Sequence, residues 1–180
     1  MRYNISKTVL FFTALLLCLH SNISFAVGET SQVSVSSSGV RGNGKSDRYS
    51  SLSANGRYVA FTSEATNLVP EDTNAQGDVF VHDRVTKQTT RVSVDSNGIQ
   101  GDDGSGLPSI SADGRYIAFL SLSRNLVAPP VVGRSVPHIF VHNQVTKKTT
   151  MVGKQDPRIY SGPSISSDGR YVLFFQIAQI

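Results

Sequence analysis

One ten-residue block occurs three times along this chain, and that recurrence limits the fold more than any other feature. Leu52-Ser-Ala-Asn-Gly-Arg-Tyr-Val-Ala-Phe61 returns as Ile110-Ser-Ala-Asp-Gly-Arg-Tyr-Ile-Ala-Phe119, and again as Ile165-Ser-Ser-Asp-Gly-Arg-Tyr-Val-Leu-Phe174. Counted from Gly56 to Gly114 to Gly169, the spacings are 58 and 55 residues. A second block lies between these anchors: Val79-Phe-Val-His-Asp-Arg-Val-Thr-Lys-Gln-Thr-Thr90 matches Ile139-Phe-Val-His-Asn-Gln-Val-Thr-Lys-Lys-Thr-Thr150. A third pairs Val33-Ser-Val-Ser-Ser-Ser-Gly39 with Val92-Ser-Val-Asp-Ser-Asn-Gly98, and Asn67-Leu68-Val69 matches Asn125-Leu126-Val127. Chance does not preserve both the order and the spacing of three blocks.

Each unit reads as four strands. The first is short, around residues 51–53, and Asn55-Gly56 then makes a tight turn, as do Asp113-Gly114 and Asp168-Gly169. Asn-Gly and Asp-Gly between apolar stretches favour hairpins because these residues tolerate positive φ. Residues 58–63, rich in β-branched and aromatic side chains, form strand two. Strand three covers 78–84, strand four 89–94, and a Gly-rich polar stretch such as 96–106 leads to the next unit. Outside the first 26 residues there is no sustained helical period. The fold class that follows is all-β, built of antiparallel four-stranded propeller blades.

The repeated S-A/S-D/N-G-R-Y-V/I-A/L-F resembles the WD40-like, TolB-type propeller repeat (PD40-like), in the longer variant that carries N-L-V and V/I-F-V-H. The likeness covers residues 33–174. It implies a propeller fold, and such propellers serve both as binding platforms and as accessory domains of hydrolases. The chain departs from the pattern in having no Trp, no additional domain ahead of the first blade, and few blades. A strand-four segment at 32–36, two whole units and a final pair of strands ending near Phe175 make about two and a half blades, where closed propellers have four to eight. The units run over about 49–97, 108–153 and 162–180. Three readings stay open: a truncated relative of a longer propeller, a short protein completing a ring by self-association, and an open stack.

The first residues carry a different message. Arg2 and Lys7 precede an apolar run over residues 9–19, and Ser24-Phe25-Ala26 places small residues around a large one. That is the layout of a secretory signal peptide over residues 1–26, cleaved between Ala26 and Val27. The run falls short of the roughly 20 apolar residues a bilayer span needs. Leu17 before Cys18 argues against lipoprotein processing, and cleavage removes this single cysteine. The expected mature chain, residues 27–180, is therefore periplasmic or secreted and holds itself together without disulfides. Losing Arg2 and Lys7 leaves 15 basic residues against 13 acidic, with both signs scattered, which is no footprint for nucleic acid.

Candidate chemistry is sparse. His82 and His142 recur at one position of successive units, which marks them as structural; His138 sits at a loop edge without a counterpart in the first unit. No serine lies in a G-x-S-x-G elbow, and there is no P-loop or H-E-x-x-H. Asp113 and Asp168 stand where Asn55 stands, and Asn does no acid–base work, so these are turn formers. One loop has the start of a calcium-type pattern: Asp72, Asn74 and Asp78 place oxygen side chains ahead of and after Gly77. It lacks an acid at position five, and the second unit has no carboxylate there.

The expected function is that of an exported, noncatalytic propeller-repeat protein with no required cofactor, calcium aside. Its loops, residues 69–77 and 127–137, and the Gly-rich inter-blade stretches contact a protein or glycan ligand, since recognition varies on loops carried by a repeated scaffold. Homo-oligomerisation is expected from uncovered blade faces. The alternative is an accessory propeller of a hydrolase or lyase, or a remnant of a longer propeller protein.

Overall fold

In the computed structural model, the residues described are 30–133, 136–153 and 161–175. The expected cleavage site at Ala26 and Val27 lies outside them. The chain divides into Met1–Ser31 and Gln32–Ile180, and every strand belongs to the second unit. The first sheet consists of β1 (Ser46–Leu52), β2 (Tyr58–Ser63), β3 (Asp78–Asp83) and β4 (Thr89–Arg91). The second repeats it as β5 (Ser105–Ile110), β6 (Tyr116–Ser121), β7 (His138–Asn143) and β8 (Thr149–Val152). A third begins with β9 (Ser164–Ile165) and β10 (Val172–Leu173). Each four-stranded sheet is an antiparallel meander in chain order, so the fold is all-β and made of propeller-type blades.

Strand one is longer than its sequence predicts. β1 starts at Ser46 because Ser46 pairs with Ser63 and their hydroxyls hydrogen-bond at 3.0 Å, with a bulge between Ser46 and Ser50. In β5 the bulge lies between Gly106 and Ser109, and it accommodates Pro108, which cannot donate to a ladder. Strand four is shorter than predicted. Val92 still donates to Val79 O, but Val79 N–H bonds to Ser93 Oγ at 3.1 Å, so a side chain replaces the next backbone rung.

Stacking of the blades explains why every residue of β3 is buried. One face carries Ala60, Val79 and Val81, which pack with Ile110, Ile117 and Phe119 of the second blade. The other carries Phe61 and Phe80 against Ala65, Leu68 and the incoming Val33. Phe61 stacks on Phe80 with centroids 5.8 Å apart, and Phe119 repeats this on Phe140 at 5.9 Å. Burying each such ring contributes about 2–3 kcal/mol. The N-L-V motif fastens the segment entering each blade: Leu68 and Leu126 are buried, while Asn67 and Asn125 Nδ2 donate to Arg41 O and Gln100 O.

Candidate functional site

The three Asn/Asp-Gly turns share one wiring. Asn55 Oδ1 accepts from Ser53 Oγ at 2.8 Å and from Arg57 N–H at 3.0 Å, with Gly56 at φ +69°. Asp113 and Asp168 accept the equivalent pairs from Ser111 with Arg115 and Ser166 with Arg170, ahead of Gly114 and Gly169. These donors, the serine hydroxyl first, hold both carboxyls below the usual carboxylate range. The Oδ1 of each is thus committed to closing its own turn.

His82 and His142 are buried and bond through Nδ1 to Thr89 and Thr149 Oγ1, each at 2.9 Å. The two threonine hydroxyls donate in turn to Val35 O and Val94 O. With the hydroxyl hydrogen so committed, each imidazole must donate from Nδ1, which assigns its tautomer. Burial lowers both histidines, His142 to about 4 with Lys147 adding to the effect. His138 departs from its sequence reading: it is buried as the first residue of β7 and pairs with Ser121, as Asp78 pairs with Ser63. It therefore has a counterpart, hidden by the change from Asp to His. Its Nε2 has no hydrogen-bond partner among the described residues, and its ring stands edge-on to Phe140.

Of the calcium-loop residues, the fold brings Asp72 and Asp78 together and leaves Asn74 apart. Asn74 Nδ2 donates to Gly101 O, and its Oδ1 accepts from Gln76 N–H. Asp72 and Asp78 converge on Arg91, whose Nη1 lies 3.5 Å from one and 3.4 Å from the other. Gln100 Nε2 donates to both at 2.9 Å, and Ser93 Oγ donates to Asp78 at 2.6 Å. Burial raises the Asp78 carboxyl, against the opposing pull of Ser93, Gln100 and Arg91. The positive charge between the carboxylates thus comes from a guanidinium. Among the described residues no three of His, Cys, Asp or Glu gather as a metal would need.

Arg91 and Gln100 of this cluster line a cleft of about 850 Å³ that reaches from β4 to the end of β7 and the turn after it. Val69, Pro70, Glu71 and Thr73 come from the loop after β2; Thr89 to Arg91 form β4; residues 95–100 form a tight hairpin; His142 and Lys147 come from the second blade. Asp95 Oδ1 shapes the hairpin by accepting from Asn97 and Ile99 N–H, which presents Ile99 to solvent. A smaller hollow of about 460 Å³, lined by Ser36 to Ser38, Val40 and Asn67, shares Val69, Pro70 and Thr89 with it. The sequence singled out the loop at 69–77 and the Gly-rich stretch from residue 96, both of which line the cleft, whereas the loop at 127–137 does not. The chemistry available is an apolar floor flanked by hydroxyls, amides and Lys147, which suits contact with a ligand through shape and hydrogen bonds. No helix among the described residues is long and apolar enough to cross a membrane.

No family model and no curated protein matches the chain. Solved structures do. TolB from Acinetobacter baumannii is similar at 18% identity and a TM-score of 0.47, over 74% of this chain and 26% of that one. The β-propeller domain of the Trilobed protease from Pyrococcus furiosus is similar at 17% identity and a TM-score of 0.49, over 73% of this chain and 34% of that one. The acylaminoacyl peptidase of Pyrococcus horikoshii is similar at 17% identity and a TM-score of 0.48, over 73% of this chain and 17% of that one. This chain therefore spans 17–34% of the length of each. Two four-stranded meanders stacked face to face, with a third begun, make it a partial propeller.

Proposed function

We propose that the protein is an exported, noncatalytic propeller-repeat protein whose inter-blade cleft binds a protein or glycan ligand. The observation that carries this reading is the cleft itself. Its walls join the variable loop after β2 to the recurring strand-four and hairpin segments, and Val69, Val92 and Val94 line it together with exposed Ile99 and hydrogen-bonding side chains. Loops on a rigid repeated scaffold can change without disturbing the sheets beneath them. Of the titratable side chains there, Arg91 is engaged by carboxylates, His142 by a threonine and Asp95 by its own hairpin. That favours recognition over proton transfer, and binding of this kind needs no cofactor. Export follows from the character of residues 1–26, with a mature chain beginning at Val27.

Secreting cells supply the material for the test, which starts with N-terminal sequencing of the exported chain. Purified wild type and Ile99→Asp are then compared on peptide and glycan arrays. The expected result is a start at Val27 and binding of one ligand class that Ile99→Asp weakens at least tenfold. Binding that is absent, or indifferent to the substitution, overturns the cleft as the site.

A further inference from the structure

The joint between successive blades occurs twice in the described residues, with the same parts each time. The ring of Tyr58 lies on Gly114, and the ring of Tyr116 lies on Gly169; a Cβ at either glycine would collide with the tyrosine. Ser51 Oγ accepts from Ile110 N–H at 3.1 Å, and Ser109 Oγ accepts from Ile165 N–H at 3.0 Å. Ala54 N–H donates to Ala112 O, and Ala112 N–H to Ser167 O, both at 3.0 Å. The isoleucine following each joint serine is covered by the preceding blade, leaving Ile110 7% and Ile165 9% exposed.

Each end of the stack carries one half of this joint uncovered. On the first blade Leu52, the counterpart of Ile110 and Ile165, is 57% exposed. The nearest atom to a Cβ at Gly56 is Arg84 Nη1 at 3.6 Å, so no tyrosine lies on this glycine. At the other end, Tyr171 stands where Tyr58 and Tyr116 stand, and it is 67% exposed. Ser164 and Ser167, the counterparts of Ser51 with Ser109 and of Ala54 with Ala112, are exposed too.

We propose that a second copy of this chain docks head to tail through this same joint. Tyr171 of one copy covers Gly56 of the next. Ser164 Oγ accepts from Leu52 N–H, and Ser167 N–H donates to Ala54 O. The occupant is a second copy because the two bare surfaces are the complementary halves of one interface, and the chain already forms that interface internally. The contact is heterologous, so it closes into a ring or continues as a filament according to the rotation per copy. It involves a different surface from the cleft and does not depend on the ligand-binding reading.

Sedimentation velocity across a concentration series tests the proposal on the full mature chain. Wild type should grow in mass with concentration, while Leu52→Glu and Tyr171→Glu should each remain monomeric. An equimolar mixture of the two variants should form a one-to-one dimer and stop there, because each retains the half that the other has lost. Both side chains are exposed, so thermal melts should match wild type; Leu52→Lys with Tyr171→Lys replaces any variant whose melt does not. A wild type that stays monomeric throughout overturns the proposal. So does a mixture without dimers, or a double variant that assembles like wild type.

Discussion

The two blades share a backbone plan and differ in what they bury at its outer edge. In the first, Asp78 heads β3 and is reached by Arg91, which pairs with Phe80 from β4, with Asp72 and Gln100 completing an ionic cluster. In the second, His138 heads β7, Met151 occupies the β8 position opposite Phe140, and no carboxylate is drawn in. The turn pair differs likewise. Arg57 bonds Asp83 through Nε and Nη2, which holds that carboxyl well below the usual range, whereas Asn143 stands in the equivalent place and closes the same turn without a charge. The repeat thus constrains the joints and the Asn/Asp-Gly turns, whose hydrogen bonds recur. It leaves the edge beside the cleft free to be ionic or apolar.

The sharpest way to break this comparison is to give the first blade the second blade's residue. Arg91→Met strands Asp78 in the interior without its cation and should cost about 3–5 kcal/mol in denaturant unfolding. Adding Asp78→His, which recreates the second blade's pair, should recover part of that loss. No recovery would mean that the two blade edges are not interchangeable packings of one scaffold.

A smaller effect separates the joint from the turn within it. Gly114→Ala puts a methyl into the Tyr58 ring and a side chain at φ +77°, and should cost about 2–3 kcal/mol. Gly56→Ala, at φ +69° with no tyrosine above it, should cost only about 1 kcal/mol. Equal losses in thermal melts would show that the tyrosine contact adds nothing.

The smallest expected effect is a dependence on pH. His142 is neutral in the fold, lowered to about 4 from 6.5, so the unfolded chain binds more protons between those values. Stability contributed by neutral His142 is therefore complete above pH 6.5 and is lost as pH falls toward 4. Acidification should therefore lower the melting midpoint, and His142→Gln should remove that slope between pH 7 and pH 4.5. An unchanged slope would place the acid sensitivity elsewhere.

What could be read from the sequence was what is decided locally. The hairpins follow from Asn55-Gly56 and its counterparts because the turn is wired within five residues. The third strands follow from unbroken apolar runs. The start of β1 was hidden because Ser46 to Ser50 is polar and bulged, and its pairing depends on Ser63 across the hairpin. That Arg91 and Gln100 serve the carboxylates of the loop at 72–78 could not be read there, because both lie far along the chain. His138 looked incidental because the position just before the recurring V/I-F-V-H changes from Asp78 to His, leaving no shared residue type to mark it. The cleft was invisible because it exists only where two blades meet.

The tyrosine over glycine has a consequence for how such a chain can change length. Socket and plug lie two residues apart in one repeat, Gly56 with Tyr58 and Gly114 with Tyr116. A stretch of DNA encoding one whole unit therefore encodes both sides of its own boundary. Duplicating or deleting that stretch creates no mismatched contact, so blade number can drift by recombination while every joint stays matched.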